Sequence, residues 1–370
     1  MILTNNLKRS FELYQKEYEE KAVEILRSGW YVLGRELELF EKEWASYCKI
    51  RYCAGLGSGR DALCLAFRAL GIGKGDEVIV PGNTYIASVM GVTINGAIPV
   101  FAEPDEYYSI DADRIQEKIT AHTKAVLAVH LYGIPGEMDK IADICKNNGL
   151  RLVEDCAQSH GAEFQGKKMG TFGDVGCFSF YPSKNLGAFG DAGAIVTDDT
   201  DIYNAICTYR NYGSQKRYYH KTVGVNSRLD EIQAGLLRVK LRHLEDLTKE
   251  REQIAERYFK GIHNDAVMLP KPRIGKGNRN VWHQFVLRCK SRDRLIDYME
   301  KMGIGTLIHY PVPPHLSEAY ANLGHKRGFL PLTEMYANEV CSIPIYNGMT
   351  ESEQSEVIRA VNSYSGGADT

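Results

Sequence analysis

No run of 18 apolar residues occurs in the 370-residue chain, so no membrane-spanning helix is expected. Neither sign of charge dominates. Forty-five Lys and Arg stand against 47 Asp and Glu, a net charge of −2. A nucleic-acid-binding protein carries a basic face, and this balance argues against one. It leaves room for a small anionic substrate held by a few local groups. The nine cysteines (48, 53, 64, 145, 156, 177, 207, 289 and 341) are odd in number, scattered and free of any Cys-x-x-Cys pair. They read as reduced, buried thiols of a cytoplasmic protein, not as a disulfide framework. The first ten residues lack a secretory apolar core. His-Glu-x-x-His and Gly-x-Ser-x-Gly are both missing, and His160 has no second histidine at ligand spacing, so no metal is expected. There is no internal repeat.

What is present is ordinary globular composition, 44% apolar and 25% charged, over a length that suggests two domains. Residues 11–29 and 36–47 read as helices. Short apolar runs then alternate with helical segments: 51–54, 77–80, 98–101, 125–129, 150–154, 175–180 and 194–197 as strands. Runs of this kind are what a parallel sheet, buried on both faces, requires. Ser227 and Asp230 have the spacing of a capping box, ahead of one long helix reaching about Phe259. A division at residues 1–245 and 246–370 is expected, the second part a smaller α+β unit. Its expected strands are 282–287 and 305–309, and its expected helices 292–302 and 350–363. The polar tail, 363–370, is expected to fray.

Three stretches could carry chemistry. Gly55-Leu56-Gly57-Ser58-Gly59-Arg60-Asp61 opens a helix. Its glycines would let backbone amides approach an anion at the positive helix end. A dinucleotide loop competes for this segment. However, the spacing is GxGxG and not GxGxxG, and no acid ends the next strand. Asp155 follows a strand, where α/β sheets bind ligands, and a carboxylate there could hold a protonated ring nitrogen. Lys184 sits beyond Ser179-Phe180-Tyr181-Pro182-Ser183, ahead of a glycine-rich segment, placed as a covalent nucleophile would be. Ser179, five residues before it, could share the anion bound at Gly59.

Together these residues resemble the DegT/DnrJ/EryC1/StrS family of sugar-nucleotide aminotransferases. The resemblance spans nearly the whole chain. It includes Ser28–Gly34, the Gly59–Leu63 helix start, Pro81–Ser88, Glu154–Gln158, Phe178–Gly193, Gly224–Ala234 and His309-Tyr310-Pro311. It implies the aspartate-aminotransferase fold, pyridoxal phosphate fold type I. That is an α/β fold with a large, mostly parallel seven-stranded sheet domain and a smaller α+β C-terminal domain. It implies pyridoxal phosphate as cofactor, with pyridoxamine phosphate as the form between half-reactions.

By resemblance, Lys184 would form the Schiff base and shuttle the proton, and Asp155 would pair with the ring nitrogen. Tyr85 would stack on the ring and Gln158 contact its hydroxyl. Gly59, Arg60 and Ser179 would bind the phosphate. Asn226 would reach it from a second subunit of a homodimer. The family often carries threonine where Arg60 stands, so backbone donation would survive there and a hydroxyl contact would not. Tyr181, Tyr212, Lys216, Arg217, Tyr218, His220, Arg228, His309 and Tyr310 are the substrate-side candidates. The stretch from Arg210 to Ala234 looks most like members that aminate C3 of a dTDP-linked 3-keto-6-deoxyhexose, with L-glutamate as donor. Amination at C4 is the alternative. A dehydratase branch of the fold has histidine in place of the lysine, and Lys184 argues against it.

Overall fold

Seven short apolar runs become the strands of one sheet in the computed structural model, which describes residues 1–366. In chain order they are β1 (Tyr52–Leu56), β2 (Glu77–Pro81), β3 (Ile98–Ala102), β4 (Thr123–Val129), β5 (Arg151–Asp155), β6 (Val175–Ser179) and β7 (Gly193–Thr197). Their order across the sheet is β1-β7-β6-β5-β4-β2-β3. Strands β2 to β6 pair in parallel, and β7 runs antiparallel to both β1 and β6.

Both faces are covered. Val126, Ala128 and Leu152 belong to one apolar cluster, whereas Ala125, Leu127 and Val153 belong to another. This is the period-two consequence of a strand buried on two sides. The carboxyl ends of β1, β2, β4, β5 and β6 therefore meet along one edge. The segments leaving that edge carry Ser58, Tyr85, His130, Asp155 and Ser179. This is the α/β architecture expected from the alternating runs.

A third apolar cluster lies in the C-terminal part, built on helices Leu244–Gly261 and Glu351–Ser363 and the antiparallel strands Phe285–Arg288 and Val340–Ile343. The buried Arg251 ties the segments of this part together. Its guanidinium donates to the carbonyls of Trp282, His283 and Ile345 and to Asn347 Oδ1. Burial pulls its pKa down to about 10.

Several local expectations are corrected. The long helix is two, Glu231–Arg242 and Leu244–Gly261, broken at His243. That ring stacks on Tyr14 at 3.7 Å and pairs with Glu17. Ser227 caps no helix; its hydroxyl accepts from Gly57 N–H and donates to Asp61. Asp230 holds the N-cap position without a side-chain cap bond. Glu231 instead serves a distant helix: its carboxylate accepts from the N–H groups of Gly34, Glu36 and Leu37 at the start of Arg35–Cys48. The N-terminal helix is also split, into Leu7–Glu12 and Gln15–Ser28. The strand expected at 282–287 starts only at Phe285, because Trp282 has φ +47°, outside strand geometry. The strand expected at 305–309 is reduced to a single bridge, Leu307 with Ser342. In the tail, Tyr364 is buried, and residues 367–370 lie outside the described residues.

Candidate active site

The strand ends enclose a cavity of about 480 Å³. Ten of the sequence candidates border it: Gly59, Arg60, Tyr85, Asp155, Gln158, Ser179, Tyr181, Lys184, His309 and Tyr310. They come from positions up to 251 residues apart, and the sheet brings them together.

One end of the cavity is the start of helix Gly59–Ala69. Ser58 Oγ accepts from the Asp61 amide, which caps the helix. The first-turn amides of Gly59 and Arg60 have no acceptor within the helix and border the cavity. Glycine at 59 is a packing requirement. A Cβ there would stand 2.4 Å from Ser179 Cβ, so only glycine lets the helix start meet the end of β6. Gly193 serves the same approach, since its Cβ would fall 2.3 Å from the Ser58 carbonyl. The Arg60 side chain turns to Asp61 at 2.8 Å.

Lys184 stands on a tight loop after β6. Its amide donates to the Tyr181 carbonyl, and Ala188 N–H donates to Phe180 O, both at 2.8 Å. Asn185 fixes the next position by donating to the Val281 carbonyl and contacting His283 Nδ1. Crowding by protein removes water from the Lys184 amine and lowers its pKa to about 8, with the negative Asp155 working against that shift. Around the lysine, burial keeps the rings of His283 and His309 neutral. His309 is pushed down to about 4, and the positive Lys184 adds to the effect on both.

Asp155 closes β5 and is 6% exposed. Its Oδ1 accepts from the Ala157 amide at 3.1 Å and its Oδ2 from Ser88 Oγ at 2.7 Å. Gln158 Oε1 accepts from Tyr132 N–H, and its Nε2 donates to the Tyr310 hydroxyl. Burial and the Asp155 charge hold that hydroxyl protonated. The exposed ring of Tyr85 faces Tyr310 with centroids 5.0 Å apart.

The remaining candidates are elsewhere. Tyr212, Lys216, Arg217, Tyr218 and His220 sit on or beside an exposed hairpin, strands Ser214–Lys216 and Tyr219–His220, outside the cavity lining. Asn226 is exposed and Arg228 reaches Asn211 and Tyr212; neither lines the cavity. His160 packs among Trp44, Phe178 and Phe180, and burial holds it neutral.

Thr84, Ser88 and His283 line the cavity and were not singled out from the sequence. The spacing of Thr84 and Ser88, four residues apart at a helix start, is the one local signal that could have marked that pair. Glu154, on the opposite face of β5, lies near His130 and Cys156. Its carboxylate is filled by donors from His130, Gly170, Phe172 and Gly173, so the cluster reads as a satisfied buried network.

A model of the DegT/DnrJ/EryC1/StrS aminotransferase family matches residues 13–362. The chain is 48% identical, over 95% of its length and 96% of the relative, to dTDP-3-amino-3,6-dideoxy-alpha-D-galactopyranose transaminase of Aneurinibacillus thermoaerophilus. Its fold superposes on S. venezuelae DesV in complex with a ketimine intermediate, with a TM-score of 0.95 and 44% identity over 98% and 97% of the two chains. It also superposes on NtdA of Bacillus subtilis with bound cofactor PMP, with a TM-score of 0.87 and 29% identity over 94% and 80% of the two chains.

Proposed function

The chain belongs to the DegT/DnrJ/EryC1/StrS aminotransferase family, and on that premise we propose that it moves an amino group from L-glutamate to C3 of a dTDP-linked 3-keto-6-deoxyhexose. The observation that carries the proposal is the meeting of Lys184, Asp155 and the Gly59 helix start in one cavity. Pyridoxal phosphate is the cofactor, and the residues present fit it. The Gly59 helix start with its free amides, the buried Asp155 carboxylate and the desolvated Lys184 amine all line the one cavity.

Gly59 and Arg60 would hold the phosphate through their amides, and Ser179 through its hydroxyl. Asp155 would hold the ring nitrogen protonated, Tyr85 would cover one ring face, and Gln158 Nε2 would offer its second hydrogen to the ring hydroxyl. When bound, the cofactor supplies the electron sink for the carbon that loses its proton. Lys184 Nζ takes that proton and returns it. With a pKa of about 8, roughly a tenth of the amine is free base at pH 7, so both directions are accessible. The neutral rings of His283 and His309 add no competing positive charge beside it.

The cavity lining contains Arg60 as its one arginine, already paired with Asp61. A diphosphate and the donor's carboxylates need more positive charge than that. A homodimer would supply it: Asn226 of the partner subunit, with Arg228 and the basic hairpin around Arg217, would close each cavity. Exposed Trp30, Tyr31, Tyr218 and Val223 give the surface a second copy would cover. Among the described residues no helix is long and apolar enough to cross a membrane, and all nine cysteines are free.

The regiochemistry is tested by incubating the enzyme with glutamate and either dTDP-3-keto- or dTDP-4-keto-6-deoxyhexose, then reading the product by NMR. Nitrogen on C3 is expected. Turnover of the 4-keto sugar with nitrogen on C4 would overturn the assignment.

A further inference from the structure

We infer that Ser88, with Thr84 behind it, positions the Asp155 carboxylate for the cofactor's ring nitrogen. This rests on the role given to Asp155 above. Thr84 and Ser88 are 1% exposed, and Asp155 is 6% exposed. Ser88 Oγ is 2.7 Å from Asp155 Oδ2, and Thr84 Oγ1 is 2.7 Å from Ser88 Oγ.

The direction of this chain follows from counting protons. An ionised carboxylate can only accept, so Ser88 donates its single proton to Asp155. Ser88 can then only accept from Thr84. The result is a one-way relay, Thr84 to Ser88 to Asp155. On the other oxygen, the Ala157 amide fills one lone pair. Each carboxylate oxygen thus holds one fixed donor and keeps capacity for an N–H in the cavity. Donors to a charged group are stronger than neutral ones, and a donor to the charged form favours that form. They also pin the carboxylate plane, which would otherwise turn about χ2. Ser88 is therefore a positioning residue that acts through Asp155.

The test is titration of apoprotein with pyridoxal phosphate at pH 8, reading Kd by absorbance. In Ser88→Ala, binding is expected to be about tenfold weaker. Thr84→Val is expected to weaken it less, and Ser88→Thr, which keeps the hydroxyl, to restore it. In an Asp155→Asn background, Ser88→Ala should change Kd less than about twofold, because the two residues act as one unit. An unchanged Kd in a folded Ser88→Ala protein, or a loss that persists in Asp155→Asn, overturns the inference and leaves the role of Asp155 standing. Asp155→Asn binding the cofactor with wild-type affinity would remove that role, and the inference with it.

Discussion

Lys184→Ala is expected to lower turnover by at least about 10³-fold while the apoprotein keeps its fold. Two losses combine. The covalent nucleophile disappears, and so does a positioned proton carrier that alone contributes about 10²–10⁴-fold. The fold should survive because Lys184 contributes little that holds its loop. The turn is made by backbone bonds from Lys184 N–H and Ala188 N–H, and by Asn185 reaching Val281. The amine is also desolvated, and removing an uncomfortable charge relieves the folded state. The melting temperature of the apo variant should lie within about 2 °C of wild type or above it. Steady-state kinetics and calorimetry check the two halves separately. Turnover within tenfold of wild type would contradict the role of the lysine.

Asp155→Asn should have the second-largest effect, a fall in turnover on the order of 10²–10³-fold with a smaller change in KM for the sugar. Asparagine matches aspartate in shape, so the difference isolates the charge. The cavity lining holds Asp155 as its one buried carboxylate, and the ring nitrogen would lose its counter-ion. A second readout needs no cofactor. The Asp155 charge raises the pKa of Lys184 against desolvation. Removing it should move the midpoint of amine reactivity in the apoprotein, about pH 8 in wild type, to lower pH. Turnover within threefold of wild type, with an unmoved midpoint, would contradict this account.

The sheet was legible because strands buried on two faces have apolar centres, and each of the seven runs carries two or more adjacent apolar residues between helical segments. The cavity's principal residues were legible for a related reason. Asp155, Ser179 and Gly59 each sit where a strand or helix ends, and Lys184 is marked by the proline and glycines around it. What stayed hidden depends on contacts between distant residues. The break at His243 leaves no trace in the pattern, since Leu241 and Leu244 continue the apolar period. It is tied instead to Tyr14 and Glu17, more than 200 residues away. The Ser227 hydroxyl looked like a cap and is used on Gly57 and Asp61, 170 and 166 residues away. Ser88 meets Asp155 across 67 residues. The hairpin around Arg217 carries the basic and aromatic composition of a ligand loop, yet lies outside its own chain's cavity, because composition does not encode where the fold places a loop.

The central claim is that Lys184 is the residue joined to the cofactor. The direct measurement is to load the protein with pyridoxal phosphate, reduce with borohydride, digest it, and sequence the labelled peptide by mass spectrometry. The label is expected on Lys184 alone. A label on any other lysine, or none after loading, would contradict the account.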